Sequence, residues 1–308
     1  MAHSHSGGGN SHDHASLPDR IGNAFKLGIF LNIGFTIVEY AIGISTNSLA
    51  LISDATHNLS DVGSLLLSWF GLRLAQKVRT NQFTYGYKKG TILASFINAV
   101  VLCFVVVTIA WESIERFQSP VVINGNGVII VAAIGVLING ISAFLFFKDQ
   151  KKDINIRGAF VHLLVDALVS VGVVVSGVMI KYTGYTWIDP TISLVIAAII
   201  AISTYSLLKE SIRLVLDAVP RDIDYEEIKS ILEKDPRVKE AHHIHIWPIS
   251  STLVSLTGHI ELNSCDATMG ELIILRKEIK HDLEHHGIGH ATIEMELPNI
   301  GCSDSHCN

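Results

Sequence analysis

Apolar residues crowd residues 21–210 in long runs, and the last hundred residues interleave them with charge. Crossing the hydrocarbon of a bilayer as a helix takes about 20 predominantly apolar residues. Six stretches are that long: residues 23–44, 48–74, 91–112, 127–147, 158–181 and 188–208. The second is the most polar of them, because it carries Asp54, His57, Asn58 and Asp61. Beyond residue 210 the periodicity shortens. It reads helix (224–234), strand (238–247), strand (252–262), helix (268–286) and strand (290–297), the pattern of a small α+β domain. The expected fold is therefore an all-α membrane domain of six transmembrane helices followed by an α+β domain. Four segments follow: a His-rich tail (1–20), the membrane domain (21–210), the soluble domain (211–297) and a Cys/His tail (298–308).

Composition agrees with a membrane protein. Hydrophobic residues make up 49% of the 308 residues and charged residues only 17%, against about 25% charged in an average soluble domain. No apolar core precedes Ile21, so no cleavable leader is expected. Three of the four cysteines (Cys265, Cys302, Cys307) lie in the last fifty residues and Cys103 lies in an apolar run, which is not the framework of a disulfide-rich secreted domain. The loop after the second span carries Arg73, Lys77, Arg79, Lys88 and Lys89, and the loop after the fourth carries Lys148, Lys151, Lys152 and Arg157. The opposite loops carry only Arg116 and Lys181. By the positive-inside rule both termini belong in the cytoplasm.

Ionisable residues inside a span cost about 2.5–3.5 kcal/mol each at the helix centre on insertion scales. The second span holds His57 and Asp61, the fifth holds His162 and Asp166, and both read H-x-x-x-D. Positions i and i+4 share a helix face. Each helix thus presents one imidazole and one carboxylate together. At 1.5 Å per residue, His57 and Asp61 lie about 14 and 20 Å from the outer end of their span. His162 and Asp166 lie about 6 and 12 Å from the inner end of theirs, in a core about 30 Å thick. Because the two helices run antiparallel, the pairs fall at matching depths. Two nitrogens and two oxygens form a tetrahedral ligand set suited to zinc. Two carboxylates, two neutral imidazoles and one divalent cation also sum to zero charge, so protons are the natural replacement for a departing metal. The alternative is that four polar residues glue a helix bundle together, but two matched pairs argue against it.

Other polar residues in the spans have competing readings. Asp54 shares the face of His57 and Asp61; it lines an external pathway for protons and metal, or it braces the start of the second span. Glu39 shares a face with Asn32 and points into the bundle, as a proton relay or as an inter-helix hydrogen-bond partner, with the structural role favoured. Asp189, before Pro190, is expected to cap the sixth span rather than to bind metal.

The chain resembles the cation diffusion facilitator family, in its bacterial zinc–cadmium–cobalt exporter branch, over residues 20–297. The resemblance rests on S-D-A-T-H-N-L-S-D from Ser53 to Asp61, on His162-x-x-x-Asp166, on Tyr85-Gly86-Tyr87, on Trp187-Ile188-Asp189-Pro190 and on the stretch from His242 to Trp247. It implies a homodimeric antiporter of the bacterial inner membrane. Such a protein exchanges cytoplasmic Zn2+ for external protons by alternating access, with Cd2+, Co2+ or Ni2+ as further substrates. The family's transport motif maps onto His57, Asp61, His162 and Asp166. It also implies a ferredoxin-like cytoplasmic domain that dimerises and binds regulatory metal. Many relatives carry an acidic residue shortly after the Tyr-Gly motif, where some hold a second metal; Lys88-Lys89 stands here, and no metal is expected at that loop.

From Asp217 onward 17 Asp and Glu face 8 Lys and Arg, a net of −9. Such a domain raises the local cation concentration. Alternation places His259 on one face of its strand, with Glu294 and Glu296 on one face of the last strand, all three exposed. His242 and His259 match positions at which some relatives hold regulatory metal, and Glu294 and Glu296 stand where relatives have His or Asp. His281, His285 and His286 crowd a helix C-terminus, where imidazolium suits the helix dipole. In the tails, His3, His5, His12 and His14 lie among Ser and Gly, a composition that binds metal weakly without folding. Cys302, His306 and Cys307 form a soft ligand set for zinc, with idle thiols as the alternative. Two other functions compete with transport. An intramembrane metalloenzyme is disfavoured, since the chain lacks H-E-x-x-H and a closed shell of four protein ligands leaves no position for water. A membrane metal sensor, with the soluble domain as reader, is the third. No nucleic-acid partner is expected.

Overall fold

The computed structural model describes residues 19–147, 154–265 and 267–298. Six long helices come first: α1 (Asp19–Thr46), α2 (Leu49–Ala75), α3 (Gly90–Gln118), α4 (Gly125–Phe146), α5 (Ile154–Thr183) and α6 (Ile188–Val215). Each follows one of the apolar runs of the sequence. Among the described residues, α3, α4, α5 and α6 are long and apolar enough to cross a membrane, and α1 contributes a shorter apolar stretch, Ile33–Thr46. Large apolar side chains such as Phe104, Trp111, Phe144 and Ile202 stand exposed on these helices, as lipid-facing residues do. The soluble elements follow: α7 (Tyr225–Leu232), β1 (Val238–Pro248), β2 (Val254–Leu262), α8 (Met269–His285) and β3 (Ile288–Glu296).

The chain divides into two compact units. The first comprises residues up to Leu59 together with Glu115–Ser193. In it α4 runs close along α5 because small residues face each other. A Cβ on Gly125 would meet the Gly177 carbonyl oxygen at 2.9 Å, and one on Gly177 would meet Ile129 at the same distance. Small residues allow this approach between membrane helices, where packing rather than hydrophobicity drives association. The turn from α1 into α2 is tight. Asn47 takes a left-handed φ of 57°, a conformation that Asn tolerates better than most residues, and the Ser48 amide donates back to the Gly43 carbonyl at 3.1 Å.

The start of α2 differs from the expectation. Asp189 caps α2, not its own helix α6. Its carboxylate accepts from Ser48 Oγ at 2.5 Å, from the Leu49 amide at 2.6 Å and from the Ala50 amide at 3.3 Å. The first amides of a helix have no partner within the helix. In a buried position they need one from elsewhere, and a carboxylate also suits the positive end of the helix. Asp189 is fully buried, with Arg116 3.7 Å away. Asn124 caps α4 in the ordinary local way, accepting from the Gly127 amide at 3.3 Å.

The second unit comprises Ser60–Ile114 with the residues from Leu194 onward. Its sheet has the order β1-β2-β3. β1 and β2 pair antiparallel, and β2 and β3 pair parallel across α8. Ile228 and Leu232 of α7, Leu275, Ile279 and Leu283 of α8, and Leu256 and Ile260 of β2 form one core. Their spacing, i/i+4 on the helices and i/i+4 on the strand, is what a helix face and a strand face each require. A capping box of Thr268 and Glu271 fixes the start of α8. The basic loop before α3 is tied to the soluble elements: Lys89 Nζ lies 2.7 Å from Asp217 Oδ1, and the Ser251 amide donates to Thr91 Oγ1 at 3.0 Å.

Candidate metal centre

His57 and Asp61 sit one turn apart on α2, and His162 and Asp166 one turn apart on α5. Between α2 and α5, His57 meets the second pair. His57 Nε2 lies 3.6 Å from Asp166 Oδ1, and His162 Nε2 lies 3.6 Å from Asp166 Oδ2. The two imidazole rings stand edge to face with centroids 6.3 Å apart. Asp166 is 2% exposed, yet both of these separations exceed hydrogen-bonding distance. Donors about 2.0–2.1 Å from one tetrahedral ion lie roughly 3.3 Å from each other. A buried carboxylate flanked at 3.6 Å on each oxygen by an imidazole has the chemistry and nearly the spacing of ligands around such an ion.

The polar residues nearby are bound into the helices. Asp54 is fully buried and accepts from Ser170 Oγ at 2.8 Å. Glu39 is fully buried, and Asn58 Nδ2 donates to its Oε2 at 3.4 Å. Glu39 thus points inward as expected, and it is linked to the residue that follows His57.

A second cluster lies in the sheet. His242 on β1 and His259 on β2 are directly opposite each other, and His259 is opposite Glu294 on β3. His259 Nδ1 lies 2.7 Å from Glu296 Oε1, and His242 Nε2 lies 3.2 Å from Glu296 Oε2. Glu294 Oε2 is 3.8 Å from His259 Nε2. Alternation placed His259 and Glu296 in the open. In the structure only 14% and 16% of their side chains are exposed, whereas Glu294 is 67% exposed. They cover one another because the parallel register sets β3's carboxylates beside β2's imidazole.

Sequence reasoning missed one member. Potential ligand atoms of His242, His243 and His259 all lie within 4.8 Å of one another. Strict alternation would turn His243 away from His242. The strand bulges instead: the two residues between His242 and His245 stand opposite the single residue between His259 and Thr257, and His243 takes a φ of 48°. The extra residue re-aims the imidazole toward the cluster. No hydrophobic pattern announces such a bulge. The expected tail ligands His3, His5, His12, His14, Cys302, His306 and Cys307 lie outside the described residues.

Two family models match the chain. "Cation efflux transmembrane domain" covers residues 25–216, and "Cation efflux protein, cytoplasmic domain" covers residues 220–297. Among curated relatives, a cadmium, cobalt and zinc/H(+)-K(+) antiporter of Bacillus subtilis is 34% identical over 96% of this chain and 92% of its own length. The zinc transporter ZitB of Escherichia coli is 34% identical over the whole chain and 96% of its own length. The metal cation efflux system protein CzcD of Cupriavidus metallidurans is 35% identical over 94% and 90%. These matches run through both H-x-x-x-D helices and the sheet cluster, so the chain belongs to the cation efflux family, known also as the cation diffusion facilitators.

Proposed function

We propose that this protein exports divalent metal from the cytoplasm, Zn2+ first and Cd2+, Co2+ or Ni2+ in addition, in exchange for protons. The transport site is His57, Asp61, His162 and Asp166. The observation that carries this reading is Asp166, buried between His57 and His162 at 3.6 Å on either side. Asp61, one turn beyond His57 on α2, supplies the second carboxylate. With the ion bound, the site is neutral. As the ion leaves, protons compensate the two carboxylates, so metal release and proton uptake are two halves of one exchange. The names of the relatives support zinc, cadmium and cobalt as substrates, and one of them reads H(+)-K(+) for the counter-ions.

All six long helices span the inner membrane of a bacterium in this reading, with both termini and the ferredoxin-like domain in the cytoplasm. The protein works as a homodimer through that domain, as the matched cytoplasmic-domain model of the family suggests. His242, His243, His259 and Glu296, with Glu294 at the edge, hold a regulatory ion. Asp54 and Glu39 line or brace the pathway, and the tail residues Cys302, His306 and Cys307 add a peripheral zinc ligand set.

The test is reconstitution. Vesicles holding the purified protein under an imposed pH gradient accumulate Zn2+, and Asp61→Ala and Asp166→Ala each abolish uptake. Full uptake by both variants would refute the assignment of the quartet. Competition by Cd2+, Co2+ and Ni2+ in the same vesicles ranks the substrates.

A further inference from the structure

α8 ends in a second imidazole pair that neither the transport site nor the sheet cluster uses. His281 and His285 are one turn apart on its exposed face. Their rings meet edge to face, with centroids 4.6 Å apart. The two Nε2 atoms are 3.3 Å from each other. Two nitrogens bound to one tetrahedral ion at about 2.0–2.1 Å are about 3.3 Å apart, so the pair already has the bite of a chelate and needs no change of backbone to close on an ion.

The surroundings favour a cation there. His285 closes the last turn of α8, where the unpaired helix carbonyls carry partial negative charge, and His281 lies one turn before it. His285 also lines an open cleft of about 970 Å³ together with Asp222, Asp224 and Glu227. His286 is not part of the pair: its Nδ1 donates to the Asp282 carbonyl at 2.7 Å, and its Nε2 faces Glu227 at 3.6 Å. Asp282 is held by Lys234 at 2.9 Å. We infer that His281 and His285 chelate a divalent transition-metal ion on the surface of the soluble domain. Imidazole selects zinc, copper, nickel and cobalt over magnesium and calcium. With only two protein ligands the ion keeps open positions, so this is a fast, exchangeable site at the rim of an acidic cleft.

The open positions give a selective probe. Cu2+ held by iminodiacetate has two adjacent positions left for imidazole and does not fit a shell closed by four protein ligands. The full-length purified protein is titrated with this complex and bound copper is counted by electron paramagnetic resonance. His281→Ala combined with His285→Ala binds one equivalent less than the unsubstituted protein. His285→Ala alone weakens that equivalent at least about tenfold, because one of two tethered ligands is gone. Both residues are exposed, and an unchanged melting temperature in each variant shows that folding is not the cause. Equal copper binding in the double variant and the unsubstituted protein would overturn the inference, whatever the outcome of the transport assay. Competition by excess Mg2+ would overturn the assigned metal class.

Discussion

Asp189→Asn isolates the contact that ties the start of α6 to the start of α2. The carboxylate accepts on both oxygens: Oδ2 from the Leu49 amide, Oδ1 from Ser48 Oγ and the Ala50 amide. An asparagine has the same shape but only one acceptor oxygen. Whichever way its amide turns, an NH2 group faces at least one backbone N–H that can only donate. Leaving a buried donor unpaired costs about 1–3 kcal/mol. Removing the negative charge from a buried helix N-terminus costs up to about 2 kcal/mol more, and Arg116 loses the carboxylate 3.7 Å away. The sum is about 2–5 kcal/mol. At roughly 2–4 °C per kcal/mol for a large domain, the melting temperature falls by about 4–20 °C. Thermal unfolding in detergent, followed by tryptophan fluorescence, reads this directly, since Trp187 lies two residues from the substitution. Asp282→Asn, which breaks an exposed pair with Lys234, is the control and shifts the midpoint little. A midpoint for Asp189→Asn within 2 °C of the unsubstituted protein, roughly the scatter of such a scan, would refute the capping role.

Gly125→Ala pushes a methyl to 2.9 Å from the Gly177 carbonyl oxygen; backbone cannot yield as a side chain does, so stability drops by about 1–3 kcal/mol, read as a lower melting temperature in detergent. His243→Val places a β-branched residue at a φ of 48° and costs about 1–2 kcal/mol, whereas His243→Asn keeps the backbone and loses only the imidazole; metal equivalents bound by the two variants separate shape from ligand. Arg237 donates to both oxygens of Asp235 at 2.8 Å and holds its pKa near 2, below the ordinary 3.8. Because the folded value is depressed, the stabilisation is present above pH 3.8 and is lost as pH falls through 2. The melting difference between the protein and Asp235→Asn is therefore constant from about pH 5 to 8 and closes below about pH 4; a difference that grows on acidification would contradict the sign.

Local features were legible in the sequence, and distant partners were not. Helices and strands could be placed because burial imposes periods of 3.6 and 2 on apolar residues. The two H-x-x-x-D pairs stood out because carboxylates in apolar runs are costly enough to need a reason. Asp189 was readable as a cap, but its recipient lies 140 residues away, and no local pattern carries that pairing. His259 and Glu296 were misjudged as exposed because alternation gives a face, not a neighbour. Their mutual cover depends on the parallel register of β2 and β3. His243 was missed because period-2 reasoning assumes an unbroken ladder, and the ladder breaks there.

That break separates the sheet from what it holds. The bulge adds one residue between His242 and His245, with regular pairing from Glu240 to His242 before it and from His245 to Pro248 after it. Deleting a single residue in this stretch would leave both flanking ladders and the apolar core they cover in place, and would turn His243 out of the cluster. The metal coordination proposed for this domain would therefore be gained or lost by a change of chain length without a change of fold, and related chains that differ by one residue here should differ in ion binding before they differ in shape.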